Sequence, residues 1–193
     1  MGKPAKRIAT YDDVINAPDD KIAEIIEGEL VLTPRPATLH SVAIGELLQE
    51  LGPPFSRGRG GPGGWIILPE PELHLDGHVL VPDVAGWRRE TMGTVPRDPP
   101  YLTIRPDWVC EVLSPSTERW DRGAKVRLYA QAGVGNAWLV NPLSRTLEVL
   151  RLSTDAPSRW ASMGVFTEDA KVRAEPFEVF ELGLDALWRD VQL

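Results

Sequence analysis

The first fifty residues contain two kinds of apolar pattern, one typical of strands and one of a helix. Two apolar runs within Ala23–Leu32 flank Glu27-Gly28, which predicts a β-hairpin with a tight turn. From Thr38 to Leu51 the apolar residues recur on one helical face, and Gly52-Pro53-Pro54 is expected to stop that helix.

The middle of the chain is dominated by apolar runs of strand length. Trp65–Leu75 and His78–Trp87 flank an Asp76-Gly77 turn, which predicts one long β-hairpin. A proline-broken loop at residues 90–106 follows, and Trp108–Leu113 predicts another strand.

Helix-start signals accumulate directly after this strand, in Ser114–Glu118. The helix is expected to run to about Ala132, with Gly133 ending it. The remaining predicted elements are strands at Ala137–Asn141 and Thr146–Leu152, then a loop, a weak strand near Val179 and a closing helix at Leu184–Val191. This order predicts a mixed α/β fold in a single domain spanning residues 1–193.

The charge balance restricts the class of partner. Lys+Arg 21 against Asp+Glu 28 gives a net charge of −7, whereas a protein that coats nucleic acid through bulk electrostatics carries the opposite sign. Positive charge is concentrated locally, because the helix after the Trp108 strand carries Arg119, Arg122, Lys125 and Arg127. The charge therefore excludes a histone-like protein and is compatible with a small cationic cleft.

Cysteine usage and apolar run lengths indicate the compartment. Cys110 is the only cysteine, so a disulfide framework and a cysteine zinc site are excluded, and an inert core thiol is expected. The basic segment Met1–Arg7 is not followed by the apolar region of a secretory signal, and no apolar run approaches the about 20 residues that span a bilayer. We expect a soluble, cytoplasmic protein.

Two carboxylates lie in apolar surroundings. Asp83 follows Pro82 within Val79–Ala85, and Glu111 lies inside Trp108–Leu113. A charge inside a strand costs free energy unless it is paired or binds a metal. Two adjacent strands would direct both carboxylates at one point, which suits Mg²⁺. The basic helix that follows would meet a phosphate bound to the same metal.

The ordered motifs resemble a known family. They are Pro82-Asp83, the run EVLSPST at 111–117, Asp121, Lys125, Tyr129, the strand WLVNP at 138–142 and the N-terminal segment 24–36. Together they resemble the Uma-type restriction-endonuclease-like proteins of bacteria, in the PD-(D/E)XK nuclease superfamily. The resemblance implies a mixed sheet flanked by helices and a phosphodiesterase site that uses Mg²⁺ (or Mn²⁺), with DNA as the expected substrate. It also implies that Asp83 and Glu111 are the metal ligands, and the expected catalytic residues are Asp83, Glu111 and Lys125. A homodimer is expected by analogy alone.

The chain departs from the superfamily pattern at one position of the site. The superfamily has a lysine two residues after the second acid, and here that residue is Leu113. Lys125, from the following helix, is the expected substitute. Further departures are Asn136, Ala137 and Asn141, which bear on substrate or assembly more than on the fold.

Each candidate has a structural alternative. Asp83 could cap backbone amides, Glu111 could form a buried salt bridge with Lys125 or an arginine, and Lys125 could pair with Asp121 on the helix surface. For the whole protein the alternative is a non-catalytic binding or assembly module that keeps the nuclease fold.

Other polar residues are given secondary roles. Glu46, Glu70 and Glu72 are reserve candidates for a third metal ligand. His40 is expected to make a structural hydrogen bond, and His74 and His78 are expected to be exposed hairpin residues rather than a metal pair.

Overall fold

The computed structural model describes residues 7–190. The strands of the predicted long hairpin are divided between its two larger sheets. The strands are β1 (Lys21–Ile26), β2 (Glu29–Pro34), β3 (Trp65–Pro69), β4 (Leu73–Leu75), β5 (His78–Leu80), β6 (Val84–Arg88), β7 (Trp108–Val112), β8 (Asn136–Asn141), β9 (Thr146–Leu152), β10 (Trp160–Thr167), β11 (Lys171–Val172) and β12 (Leu182–Gly183). The helices are α1 (Tyr11–Ile15), α2 (Thr38–Leu51) and α3 (Val126–Gln131), with π-helical turns at Gly52–Ser56 and Trp120–Lys125 and a 3₁₀ helix at Leu184–Trp188.

The predicted N-terminal hairpin is confirmed. β1 and β2 pair antiparallel, and both turn residues, Glu27 (φ 52°) and Gly28 (φ 77°), adopt the left-handed conformation that a two-residue hairpin turn requires. β1 also pairs with β5, which builds a four-stranded sheet in the order β2-β1-β5-β4.

The second predicted hairpin is divided between two sheets. β4 and β5 join the four-stranded sheet, whereas β3 and β6 join a six-stranded sheet ordered β10-β9-β8-β7-β6-β3. The prediction of one continuous hairpin was wrong because Pro69, Pro71 and Pro82 cannot donate to a strand ladder. As a result Asp83 lies in the bend between β5 and β6, not inside a strand.

Strand β7 is the centre of the six-stranded sheet and separates two apolar clusters. Trp108, Cys110 and Val112 pack into the cluster that α2 covers, while Val109 and Leu113 pack into the cluster that contains Tyr129 of α3 and its neighbours. β7 and β8 are parallel because the helical segment ending in α3 crosses over between them. The predicted mixed α/β architecture is confirmed.

Three local predictions differ from the structure. Helix α2 has the predicted bounds, but the chain continues in a π-helical turn whose Phe55 is buried, since prolines are tolerated in the first positions of a helical turn. The strand expected near Val179 is wrong, because that residue is 64% exposed and lies in a turn, and β10 forms where a loop was expected. Half of the β10 residues are exposed and none is buried, so its apolar pattern is weak, and its ladder with β9 holds it in place.

At the C-terminus a 3₁₀ helix, Leu184–Trp188, replaces the predicted closing helix, and Val191 lies outside the described residues, as does the basic segment 1–6. Within residues 7–190, no helix has the length and apolar character needed to cross a membrane.

Candidate functional site

A pocket of about 350 Å³ lies between the β1–β2 hairpin, the Asp83 bend and the turn that follows β7. Its wall includes six buried ionisable side chains: Glu24, His40, Asp83, Glu111, Asp121 and Lys125. The three residues predicted to carry the chemistry, Asp83, Glu111 and Lys125, are therefore brought together in one pocket.

The Asp83 carboxylate is held from two sides. Its Oδ2 accepts a hydrogen bond from the Val112 backbone N–H at 2.6 Å and lies 3.1 Å from His40 Nε2, which α2 brings to the site. Burial lowers the pKa of His40, but the hydrogen bond and charge of Asp83 outweigh burial and raise it. Asp83 therefore accepts a hydrogen bond from a backbone amide, as a purely structural role would require, and it also lines the pocket.

Glu111 and Lys125 form a buried ion pair. Lys125 Nζ lies 3.0 Å from Glu111 Oε1, and the Tyr129 hydroxyl donates to the same oxygen at 2.6 Å. Burial raises the pKa of Glu111 well above its usual range, because the charge of Lys125 offsets only part of that cost. Burial acts to lower the pKa of Lys125, but the charges of Glu111 and Glu24 raise it well above its usual range.

Lys125 also binds the first sheet. Its ammonium lies 3.2 Å from Glu24 Oε1 and donates to the Val81 carbonyl at 3.0 Å, while Glu24 Oε1 accepts the Val81 N–H at 2.8 Å. The lysine therefore joins β1, the strand break before Asp83 and β7 around one positive charge. Sequence reasoning missed Glu24, although its position between Ala23 and Ile25 in β1 is a signal of the kind that identified Glu111.

Asp121 is also part of this cluster, so its pairing with Lys125 is buried and does not lie on the helix surface, where the structural alternative placed it. It is buried, and its Oδ1 lies 3.6 Å from Lys125 Nζ. Burial raises its pKa, and the charge of Lys125 partly opposes that shift. Both residues belong to the π-helical turn Trp120–Lys125, and both are buried and line the pocket.

The predicted cationic patch does not form. Arg122 pairs with Glu118 and Glu148, and Arg127 pairs with Glu27 at 2.6 Å. Of the four cations only Lys125 lines this pocket, and Arg119 and Arg127 line a separate pocket beside Trp120. The other cation in the pocket wall is the exposed Arg35, which the prediction did not include.

None of the reserve acids Glu46, Glu70 and Glu72 lines the pocket. Glu72 instead lies 2.8 Å from His74, whose ring stacks on Tyr101 at 3.6 Å and is partly buried rather than exposed. His78 is also half-buried, and its Nδ1 accepts a hydrogen bond from the Glu27 N–H at 3.2 Å.

Comparison with known proteins identifies the family. A family model named Uma2 and described as "Putative restriction endonuclease" matches residues 8–187. The chain belongs to the Uma2 family. Its fold is similar to that in the crystal structure of "a putative nuclease belonging to DUF820" from Anabaena variabilis, with a TM-score of 0.75 and 22% identity, covering 94% of this chain and 98% of the other. No curated protein matched the chain.

In this Uma2 protein the ammonium beside Glu111 comes from the helix and not from the strand. Leu113, where the PD-(D/E)XK pattern has lysine, is buried in the apolar cluster with Val109. Lys125 contacts Glu111 instead, at 3.0 Å. Lys125, the expected substitute for the strand lysine, therefore contacts the second acid, and we propose a catalytic role for it on this basis.

The donor set fits a hard divalent cation. Among the described residues no three His, Cys, Asp or Glu side chains form a ready-made metal cluster, but Mg²⁺ commonly takes one or two carboxylates and completes its shell with water and substrate oxygens. Four buried acids, when ionised, carry four negative charges against one on Lys125 and at most one on His40, which leaves an excess of two or three. A divalent cation would neutralise two of these charges.

Proposed function

We propose that this Uma2 protein is a nuclease that hydrolyses phosphodiester bonds in DNA with Mg²⁺ or Mn²⁺. One observation carries the proposal: Asp83, Glu111 and Lys125 line a single pocket, with the lysine in contact with one of the two acids. The family description, "Putative restriction endonuclease", and the similarity to the Anabaena variabilis protein, "a putative nuclease", support the same reaction class.

Asp83 and Glu111 would hold the metal. In the described part of the chain, the contacts of these two carboxylates use Asp83 Oδ2 and Glu111 Oε1, so each carboxylate keeps a second oxygen for a ligand. The bound cation would polarise the phosphate and lower the pKa of a water molecule. Lys125 would stabilise negative charge that develops on the phosphate, while His40 and Tyr129 orient the two carboxylates.

The test is cleavage of supercoiled plasmid and of labelled oligonucleotides with Mg²⁺, with Mn²⁺ and with EDTA. Asp83→Asn and Glu111→Gln are expected to abolish metal-dependent cleavage and to weaken Mn²⁺ binding measured by electron paramagnetic resonance. Glu72→Gln and Glu46→Gln are matched controls outside the pocket and should retain both. Unchanged cleavage by Asp83→Asn would contradict the assignment.

One observation favours the alternative of a non-catalytic binding or assembly module. Glu111 Oε1 already contacts both Lys125 and Tyr129, an arrangement that also serves as a structural buried ion pair. This alternative predicts no cleavage with any divalent ion, and nucleic-acid or partner binding that survives Asp83→Asn. The homodimer proposed by analogy is tested separately by light scattering on the purified chain.

A further inference from the structure

The pocket contains an aromatic ring, a cation and hydroxyl groups that the acids and Lys125 do not use. Trp120, Arg35 and Ser116 are among the residues lining it. We infer, resting on the proposed function, that this pocket takes one nucleotide of a single strand with its base stacked on Trp120. Single-stranded nucleic acid is then the substrate class, and intact duplex is not.

The reactive groups lie deep in the pocket. Glu111 is 2% exposed and Lys125 is 3% exposed, so a phosphate has to enter the pocket to reach them. The pocket volume of about 350 Å³ is at the lower end of the about 300–1,000 Å³ typical of small-molecule sites. A duplex holds its bases stacked between two backbones, whereas a single strand can turn one nucleotide inward.

The Trp120 ring forms part of the pocket wall. The half-buried side chain lines the pocket, and the Arg119 guanidinium lies 4.9 Å from its ring centroid. The guanidinium contact helps to hold the ring in place. A base stacks on an indole whatever its identity, so this contact would bind single strands without sequence preference. Apolar residues of the same wall, Ile22, Pro34 and Pro36, offer a dry surface for the sugar and base.

The pocket wall also carries polar groups that suit a phosphate and a sugar. Arg35 is exposed there and donates one of its N–H groups to the Asp19 carbonyl at 3.0 Å, which leaves further donors for a phosphate. The Ser114 hydroxyl lies 2.9 Å from Ser116 Oγ and 3.0 Å from Thr117 Oγ1, forming a polar edge beside the acids.

The overall charge agrees with this substrate class. A chain with net charge −7 gains little from the electrostatic attraction that holds most proteins to duplex phosphates. Stacking and a few local contacts are less dependent on bulk charge, which favours a strand bound through one inserted nucleotide.

The experiment measures fluorescence anisotropy of a labelled 12-residue single-stranded DNA and of the same strand annealed to its complement, with Ca²⁺ in place of Mg²⁺. The single strand is expected to bind at least ten times more tightly. Trp120→Leu should weaken single-strand binding by about 5- to 100-fold, because it removes one stacking contact. Trp120→Phe should restore most of that loss, since it keeps an aromatic face.

Trp160→Leu is the matched control. Trp120 and Trp160 are both half-buried and pack against the apolar cluster that contains Tyr129. Trp160 does not line the pocket, so its loss should leave binding unchanged. Circular dichroism and thermal melting verify that each variant is folded. Thymidine monophosphate is expected to compete weakly; competition as strong as that of the oligonucleotide would indicate a free-nucleotide site and overturn the strand assignment.

Failure of this inference can be separated from failure of the proposed nuclease activity. Equal binding of duplex and single strand, or unchanged binding by Trp120→Leu, overturns the inference even if the protein cleaves DNA. Absence of cleavage with every divalent ion overturns the nuclease proposal, while the binding measurements still decide whether the pocket takes a single strand.

Discussion

Replacing Lys125 by methionine tests whether this buried cation is the counterion of the acidic cluster. The substitution keeps a long apolar side chain and removes the charge. In the native protein the ammonium lies 3.0 Å from Glu111, 3.2 Å from Glu24 and 3.0 Å from the Val81 carbonyl. Removing one partner of a buried ion pair costs about 3–5 kcal/mol. We expect Lys125→Met to lose a comparable part of the unfolding free energy, which is about 5–15 kcal/mol for typical domains.

The size of the loss should depend on pH. Burial already raises the pKa of Glu111, and the charge of Lys125 is the main influence that lowers it. Without Lys125 the pKa of Glu111 rises further above its unfolded value of about 4.3, so folding takes up a proton and becomes less favourable as pH increases. The raised pKa of Lys125 keeps that residue charged in the wild type throughout this range. Lys125→Met should therefore destabilise more at pH 8 than at pH 5.

Urea unfolding followed by tryptophan fluorescence at both pH values measures these differences. Arg127→Met is the control, because Arg127 lies two residues further along the helix and forms a half-exposed pair with Glu27. Its loss should cost less than about 1 kcal/mol. A loss below about 1 kcal/mol for Lys125→Met at pH 8 would refute the counterion role, and a smaller loss at pH 8 than at pH 5 would contradict the reasoning on pH.

Three further predictions follow from single contacts. Tyr129→Phe removes the 2.6 Å hydrogen bond to Glu111 and should cost about 1–3 kcal/mol in urea unfolding; an unchanged midpoint would show that water replaces the hydroxyl. Cys110 is fully buried and burial raises its thiol pKa, so Ellman's reagent at pH 8 should react only after denaturation, and a rapid native reaction would contradict this burial. Gly133→Ala places a Cβ at φ 78° and 3.0 Å from Arg105 Nη1, so we expect a loss of about 1–2 kcal/mol, and a neutral result would show that the turn relaxes.

Elements with local signals could be predicted from the sequence. The β1–β2 hairpin follows from Glu27-Gly28, which favours a tight turn between two apolar runs, and α2 follows from its apolar periodicity. The apolar run of β7 predicts that strand, and its two faces enter the two clusters that side-chain alternation indicates. These features depend on neighbours a few residues apart, which the sequence displays directly.

The candidate site was predictable only in part. Asp83 and Glu111 could be selected because acids in apolar surroundings are costly without a partner. Glu24 and Asp121 join them only because β1 pairs with β5 beside the Asp83 bend and because a π-helical turn directs Asp121 inward. The contact of Glu24 with Lys125 joins residues far apart in the chain, and no local pattern specifies it; Asp121 and Lys125 are four residues apart, but the sequence does not show that this pair is buried.

The sequence by itself determined the mixed fold class, the family motifs and the two apolar-flanked acids. The tertiary structure decided how the charges are distributed, since of four cations close together in the sequence only Lys125 enters the pocket. It also decided that three acids, Glu24, Glu111 and Asp121, share this buried cation. The physical reason is that net charge is a sum over residues, whereas the cost of each buried charge depends on distance and burial, which exist only after the chain has folded.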